Sequence, residues 1–340
     1  MDPAPRSRPS LPASVVVCEC WARDGLQSIA EVVPTDQKIA MIDRIVEAGF
    51  TKLEVTSFSN PKLLPQFADA ALVLRGIKRR PGVSHVVLMP NERGFDRLEV
   101  CQKEGYGAEE IILMISSSEK HNLLNFRMSH RDAMQEHARV MRRAHALGIR
   151  IIGCAGTVYG CPVGGDVPFR DVAKIVRFYL EEGAQTIMLG DTTGMANPLL
   201  VRERIAALHA ELPRAELIAH FHDTRGTGVV NTIAALELGV RYVDTSLGAI
   251  GGQPATGAAK YSAGFTGNTC TEDLVALLEE MGVRTGVDVE RMIDVGRAAE
   301  ELLGERLRSN VIRAGPVIHG GSSPEKEPAV ASQRRSEMVT

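Results

Sequence analysis

The stretch Ala215-Glu216-Leu217-Ile218-Ala219-His220-Phe221-His222-Asp223-Thr224 decides how this chain folds. Its largely apolar first half predicts a buried β-strand, and two histidines stand at the end of that strand. Residues i and i+2 of a strand point to the same face, so His220 and His222 would project side by side. Two such imidazoles suit a single metal ion, although histidines near a strand end can also simply hydrogen-bond within a crowded loop. The rest of the chain is needed to decide between these interpretations.

The same unit, a strand followed by a helix, recurs along the chain. Helical patterns of apolar residues separate the strands, and Gly49, Gly148 and Gly183 stand where three of these helices would end. Strict alternation predicts a parallel sheet, and eight units predict a closed α/β barrel of the (β/α)8 TIM type. An open doubly wound sheet is the alternative, but no Gly-x-Gly-x-x-Gly follows the first strand. The predicted strands are 15–19, 52–58, 85–89, 110–115, 149–154, 185–189, 215–219 and 242–247, and a last helical region covers 272–307.

Length and composition agree with one barrel domain. The chain has 340 residues, and barrels of about 250 residues commonly form a single domain. We expect a flexible N-terminal tail at 1–14, a barrel domain with C-terminal helices at 15–313, and a disordered tail at 314–340. The last of these is rich in Gly, Ser, Pro and charge and has little to bury.

Charge and hydropathy exclude several classes of partner. The net charge is −3, so no basic surface argues for nucleic acid or an acidic membrane, and no apolar stretch approaches the roughly 18 residues of a membrane span. The first residues lack the apolar segment of a secretory signal. A cytoplasmic location is therefore expected, although Arg6, Ser7 and Arg8 leave a short organellar targeting segment open. The six cysteines form no C-x-x-C pair, which argues for free thiols and against a zinc ribbon.

Unusual polar residues collect where the predicted strands end, which is the catalytic end of such a barrel. Each has a simpler explanation taken alone: Asp191 suits a helix N-cap, and Arg23 with Asp24 suits a surface ion pair. A carboxylate such as Glu54 within a buried strand, however, needs a partner. The joint occurrence favours a site formed by Glu19, 23–27, Glu54, Asp191, His220, His222 and the Gly-rich loop 248–268.

The residue types predict metal-assisted chemistry. Two histidines with a carboxylate, for which Asp24 is the obvious candidate, and an amide oxygen would form a nitrogen and oxygen site with open positions. Such a ligand set is more typical of Mg, Mn or another divalent ion than of a zinc site, in which the ligands are thiolates. An ion there would polarise a carbonyl as a Lewis acid. The adjacent Arg23 would stabilise an enolate as it develops.

Six motifs occur in the order found in one enzyme family. They resemble those of the 3-hydroxy-3-methylglutaryl-CoA lyase family, within the metal-dependent TIM-barrel lyase and Claisen-condensing superfamily, and the likeness covers about residues 15–310. The Arg-Asp-Gly-Leu-Gln and His-x-His-Asp-Thr motifs favour the lyase branch. The motifs are Arg23-Asp24-Gly25-Leu26-Gln27, Thr56-Ser57-Phe58, Gly160-Cys161-Pro162, Leu189-Gly190-Asp191-Thr192, His220-Phe221-His222-Asp223-Thr224 and Gly267-Asn268.

The resemblance implies a retro-Claisen (retro-aldol) cleavage of a 3-hydroxy-acyl-CoA into acetyl-CoA and a keto acid by a homodimer that uses Mg or Mn. It implies the metal ligands Asp24, His220, His222 and Asn268. Arg23 would stabilise the enolate of the departing acetyl-CoA. Glu54 and Asp191 would lie near the metal, orienting ligands or transferring a proton. Glu19 and Gln27 would support the ligands.

One departure from the family pattern affects catalysis. The family carries Gly-Gly-Cys-Pro in the loop after strand eight and uses that cysteine in catalysis, whereas this substrate loop has Gly251, Gly252 and Gln253 before Pro254. An amide side chain does not titrate in this range. The chain would then be a lyase for a related thioester, such as citramalyl-CoA or a longer 3-alkyl-3-hydroxyglutaryl-CoA. Alternatively it is a hydroxymethylglutaryl-CoA lyase in which Asp191, Glu54 or metal-bound water replaces the cysteine.

Two further alternatives remain open. The barrel would bind metal and ligand without turnover if the acid–base function were lost with the cysteine. A Claisen-type synthase is less favoured, because those enzymes typically continue into an additional C-terminal domain. A second departure, Ser28-Ile29-Ala30, replaces a polar stretch in which the lyases usually carry a lysine that helps to hold CoA.

Overall fold

The structure, a computed structural model, describes residues 11–252 and 266–318. Most of both predicted tails and the substrate-loop residue Gln253 lie outside the described residues. Within the described part of the N-terminal segment, Leu11 packs against the hydrophobic core. Ser14 forms a parallel β-bridge with Arg284, which places the chain against the C-terminal helices before the first strand begins.

Eight parallel strands close into a barrel in the order of the sequence. The closure is made by the first and last strands, in which Val17 pairs with Val243 and Cys18 with Asp244. The predicted TIM barrel is therefore confirmed. The strands are β1 Val16–Glu19, β2 Lys52–Ser57, β3 Ser84–Leu88, β4 Glu110–Ser116, β5 Arg150–Gly156, β6 Thr186–Asp191, β7 Leu217–Phe221 and β8 Tyr242–Thr245.

Helices alternate with the strands and cover the barrel. Several start at side-chain caps that satisfy free backbone N–H groups; the Asn91 and Ser129 side chains, for example, accept from Gly94 and Asp132. The helices are α1 Thr35–Glu47, α2 Ala70–Gly76, α3 Glu92–Lys103, α4 Glu119–Phe126, α5 His130–Ala146, α6 Phe169–Glu181, α7 Pro198–Glu211, α8 Gly228–Leu236, α9 Thr271–Glu280, α10 Val289–Leu303 and α11 Val311–Ala314.

The structure differs from the prediction in two helical regions. Helix α4 was not predicted; it is a short, weakly amphipathic helix that begins at the Ser118 cap. The C-terminal region 272–307 was predicted as helical without a position for a break, and it contains two helices, α9 and α10. Gly282 and Gly286 separate them with φ values of +77° and +76°, a left-handed conformation that an α-helix cannot continue through.

Side chains alternate between two cores. Outward residues of the strands pack under the helices, and inward residues fill the barrel with a compact apolar cluster of Val86, Ile112, Ile152, Cys154, Met188 and Ile218. At the N-terminal end of the barrel, Lys52 Nζ and Arg150 Nη2 reach the Glu110 carboxylate at 2.5 and 2.8 Å. The apolar cluster thus fills the barrel between this group of ion pairs at the N-terminal end and the polar residues at the C-terminal mouth. Within the described ranges, no helix is both long and apolar enough to cross a membrane.

Candidate metal centre

The turn after β1 carries two of the charged residues into the barrel mouth. It is a tight helical turn, Trp21–Gly25, in which all five residues are buried. A Cβ on Gly25 would lie 3.0 Å from Ile250 Cγ1 and from Ser246 Oγ, so the turn packs closely against the segment after β8. This packing directs Arg23 and Asp24 toward the end of β7.

Asp24, His220 and His222 form a buried cluster with ligand-type geometry. One donor atom from each lies within 4.8 Å of the others. His220 is an inward residue of β7, and His222 follows two residues later, where it bridges to Asn268. The two Nε2 atoms are 3.1 Å apart. The side-by-side placement predicted from the i, i+2 spacing is thus present at the catalytic end of the barrel.

Hydrogen bonds on the far side of each imidazole orient both rings. His220 Nδ1 lies 3.0 Å from Asp244 Oδ2, and His222 Nδ1 lies 2.6 Å from the Thr266 carbonyl. Both partners are acceptors, so each Nδ1 carries a proton, and each Nε2 presents a lone pair when its ring is neutral. Two lone pairs 3.1 Å apart repel unless a proton or a cation lies between them.

The two histidines differ in their pKa. Burial, together with the positive charge of His220, lowers the pKa of His222 to about 4, so His222 is neutral near pH 7. Burial also acts to lower the pKa of His220, but the hydrogen bond and charge of Asp244 outweigh it and raise that pKa. The neutral imidazole is the form that binds metals.

Asn268 completes the donor set. Its Nδ2 donates to Asp24 Oδ2 at 2.7 Å and to the Ile250 carbonyl at 3.0 Å. Its Oδ1 is buried without a hydrogen-bond partner among the described residues. A buried amide oxygen of this kind needs a partner, and a cation would supply it. Two imidazole nitrogens, one carboxylate and one amide oxygen therefore fit a divalent ion of the Mg or Mn type.

Arg23 lies between two buried carboxylates. Its Nε donates to Glu54 Oε2, and its Nη1 donates to Asp24 Oδ1 at 2.6 Å. Although burial acts to raise it, the pKa of Asp24 is held well below its usual range by Arg23 and the histidines. Burial and the nearby Asp244 raise the pKa of Glu54 against the lowering effect of Arg23. Glu54 Oε1 is buried and finds no partner in the described chain.

Glu19 connects three segments at the barrel rim. Its carboxylate accepts from the backbone N–H groups of Trp21 and Leu247 at 2.9 and 3.0 Å and from the Thr271 hydroxyl. By strand alternation it points outward from β1. It thereby ties the turn after β1 to the segment after β8 and does not hydrogen-bond to the histidines in the described structure.

Asp191 and Gln27 each hold a loop. Asp191 Oδ1 accepts from the N–H groups of Met195 and Ala196 at 2.7 and 3.2 Å, and its burial raises its pKa to about 6. Gln27 Nε2 donates to the Gly252 carbonyl at 3.0 Å. Neither hydrogen-bonds to Asp24, His220 or His222 among the described residues. The interpretation of Asp191 as a helix N-cap is wrong, because Asn197 caps α7 and Asp191 instead closes the loop before it.

The start of the substrate loop is bound to the metal-site residues. Gly252 N donates to Asp24 Oδ2 at 3.2 Å, and Gly251 N donates to Ser28 Oγ at 3.1 Å. Gly251 has a φ of +128°, and a Cβ there would lie 2.1 Å from Asn268 Nδ2. Only glycine fits between the loop and the ligands. Gln253 lies outside the described residues.

Asp244 was not identified from the sequence, although it orients His220. It lies in β8, where its backbone pairs in register with His220, and it is 2% exposed. An aspartate at the third position of an otherwise unremarkable strand was the only signal in the sequence. Its pairing partner became evident only from the register between β7 and β8.

We predict that Asp244→Asn weakens metal affinity by about 10- to 100-fold, because an amide no longer raises the basicity of the His220 ring as a carboxylate does. Titration with Mn²⁺ followed by electron paramagnetic resonance measures this directly. Asp96→Asn on the surface of α3 is the matched control. Equal Mn²⁺ affinity in Asp244→Asn and the control would contradict the assignment.

Comparison with known proteins gives a consistent result. A family model described as HMGL-like matches residues 14–298. The mitochondrial hydroxymethylglutaryl-CoA lyase of Macaca fascicularis is 36% identical over 308 residues, which cover 91% of each chain. The hydroxymethylglutaryl-CoA lyase YngG of Bacillus subtilis is 36% identical over 298 residues, covering 88% of this chain and 96% of YngG.

Solved structures agree in fold. An HMG-CoA lyase from Acinetobacter baumannii, in complex with coenzyme A and 3-methylmalate, superposes with a TM-score of 0.83 at 36% identity, over 92% of this chain and 98% of that one. The Bacillus subtilis HMG-CoA lyase gives a TM-score of 0.82 at 35% identity, over 88% and 97% of the two chains.

Proposed function

This chain belongs to the HMGL-like family, and on that premise we propose that it is a carbon–carbon lyase that cleaves a 3-hydroxy-acyl-CoA by a retro-Claisen reaction. The products would be acetyl-CoA and a keto acid. The observation that carries this proposal is the buried cluster of Asp24, His220 and His222 beside the Arg23–Glu54 pair. The cluster provides atoms that can bind a metal ion, and the pair provides a positively charged guanidinium and a carboxylate. All of these groups lie in one barrel mouth.

The cofactor we propose is Mg²⁺ or Mn²⁺, held by Asp24, His220, His222 and Asn268. The unpartnered Asn268 Oδ1 and the two facing Nε2 atoms support this ligand set. A divalent ion there would polarise the substrate's oxygen atoms as a Lewis acid. Asp244 and the Thr266 carbonyl would hold the imidazoles in the ligating orientation.

Arg23 would stabilise the negative charge that develops on the thioester oxygen. Two of its donors are fixed by Glu54 and Asp24, which holds the guanidinium plane in one orientation. A charge oriented in advance stabilises an enolate without reorganisation during the reaction. Arginine also stays protonated at every relevant pH.

Glu54 would transfer the proton. Its unpartnered Oε1 would accept the proton of the C3 hydroxyl as the C2–C3 bond breaks, C3 becomes a ketone, and the bonding electrons form the enolate of acetyl-CoA. The same carboxyl group would then return that proton to C2, so no net proton is consumed. Asp191 suits this role less, because backbone N–H groups of Met195 and Ala196 bind its carboxylate. An amide at Gln253 cannot supply a proton of this kind.

The test is a product assay on the purified protein with hydroxymethylglutaryl-CoA and related 3-hydroxy-acyl-CoA thioesters. We expect acetyl-CoA and the keto acid to form in equal amounts with Mg²⁺ or Mn²⁺, and activity to disappear with a chelator and return with metal. Glu54→Gln should lower kcat by about 10²- to 10⁴-fold, the usual contribution of a general acid–base group. Thioester hydrolysis to free CoA, or full activity in the chelator, would contradict the proposal.

Four further expectations remain proposals. The acyl-CoA substrate and a homodimeric assembly follow from the resemblance, and we also propose a cytoplasmic location. A single barrel domain at 15–313 between two tails is the proposed organisation of the chain.

A further inference from the structure

The barrel mouth has two chemically different halves. The side chains contributed by the turn after β1 and by β2, β7 and β8 are charged or polar, with Arg23, Glu54, His220 and Asp244 among them. The inward positions at the upper ends of β3 to β6 are instead apolar or lack a side chain, except for Ser116, whose buried Oγ is paired with Thr157 Oγ1 at 2.7 Å. We call the four residues other than Ser116 the apolar wall: Leu88, Met114, Gly156 and Gly190.

The two side chains of the apolar wall are not part of the sealed core. The cluster beneath them is fully enclosed; Ile112 and Met188, for example, are 1% and 3% exposed. Leu88 and Met114 pack on top of this cluster but are only partly buried. They therefore present apolar surface to the mouth, as the hydrophobic side of a ligand pocket does.

The two glycines of the apolar wall are not required by the backbone. Neither has a φ in the left-handed region, and a Cβ on Gly190 would meet nothing closer than 3.4 Å. A Cβ on Gly156 would lie 3.2 Å from Thr192 Oγ1 and 3.7 Å from Met114 Sδ. Alanine would fit at Gly190, and at Gly156 it would fit after a small shift of the Thr192 hydroxyl, so glycine leaves space at both positions.

This open space adjoins the metal centre. Gly190 is paired with His220 across β6 and β7, and a Cβ on Gly190 would lie 3.4 Å from Gly156 Cα. Met114, Gly156, Gly190 and His220 thus form a continuous line from the apolar wall to the ligands. A group attached to the carbon that reacts at the metal would lie along this line.

We propose that the apolar wall binds an alkyl substituent of two or more carbons at C3 of the acyl group, so that the substrate class is a 3-alkyl-3-hydroxy-acyl-CoA with a chain longer than methyl. This inference rests on the proposed function. A carboxylate directed at Leu88 and Met114 would be desolvated without a partner, whereas an alkyl chain would replace water on an apolar surface. The polar half of the mouth would bind the thioester and the C3 hydroxyl.

The experiment compares 3-hydroxy-acyl-CoA thioesters with methyl, ethyl and n-propyl groups at C3. We expect kcat/KM to rise about 10-fold from methyl to ethyl, the usual selectivity of an apolar pocket for one methylene. Gly156→Ala, which fills the open space, should reverse this ratio, and Met114→Gln should reduce it. Leu72→Gln, at an exposed apolar position on α2, is the control and should keep the wild-type ratio. Thermal unfolding checks that each variant is folded.

A wild-type preference for the methyl substrate, or an ethyl-to-methyl ratio unchanged in Gly156→Ala and Met114→Gln, would overturn the assignment. If no thioester is cleaved with metal present, the proposed function fails, and calorimetric titration with the same three thioesters decides the binding question separately. Affinity that increases with chain length and falls in Gly156→Ala would support the apolar wall. Equal affinities for the three would overturn it.

Discussion

His222→Ala is expected to abolish stoichiometric metal binding and to lower kcat/KM by more than about 100-fold, beyond the loss typical of removing a residue that only orients a ligand. His222 Nε2 faces His220 Nε2 at 3.1 Å and lies 3.9 Å from Asp24 Oδ2. Its removal takes one nitrogen donor from the set and removes the hydrogen bond that His222 Nδ1 donates to the Thr266 carbonyl.

Metal content by plasma mass spectrometry and Mn²⁺ titration measure this effect without an activity assay. The control is His145→Ala, which removes an exposed imidazole from α5 and should leave metal content unchanged. Wild-type metal content in His222→Ala would exclude this residue as a ligand. It would also leave the short distance between the two histidines to be explained by a shared proton.

Arg23→Lys is the second change with a large expected effect. Lysine keeps the charge but cannot reproduce the planar fork that contacts Glu54 and Asp24 together. We expect kcat to fall by about 10²- to 10³-fold, as when one donor that stabilises an oxyanion is lost. KM should change much less, because the interaction forms mainly as the enolate develops.

Lysine is a better test substitution for Arg23 than an apolar residue. An apolar replacement would leave two buried carboxylates unpaired, and breaking a buried pair commonly destabilises a protein by about 3–5 kcal/mol. The measurements are kcat and KM, with Mn²⁺ affinity and urea unfolding as checks that the site and the fold persist. Arg139→Lys on the exposed face of α5 is the control. A loss confined to KM would show that Arg23 binds the ground state rather than the enolate.

The sequence predicted most of the fold because local signals recur in each unit. Apolar runs predict the strands, and glycines such as Gly49 and Gly148 predict where helices end. Both agree with the observed bounds to within a few residues. The failures were also local. Helix α4 has a weak apolar pattern, and the break between α9 and α10 depends on left-handed turns at Gly282 and Gly286. A glycine in sequence does not reveal which conformation it adopts.

The sequence by itself determined that His220 and His222 share a face, because strand periodicity acts between residues two apart. Only the tertiary structure brings Asp24 to them, since β1 must first close against β8. The same holds for Asp244, which reaches His220 through the register of β7 and β8, and for the apolar wall opposite. The spacing of residues along the chain determines which side chains of one strand or helix share a face. Closure of the barrel and strand register decide which distant side chains meet, and they depend on packing summed over the whole barrel.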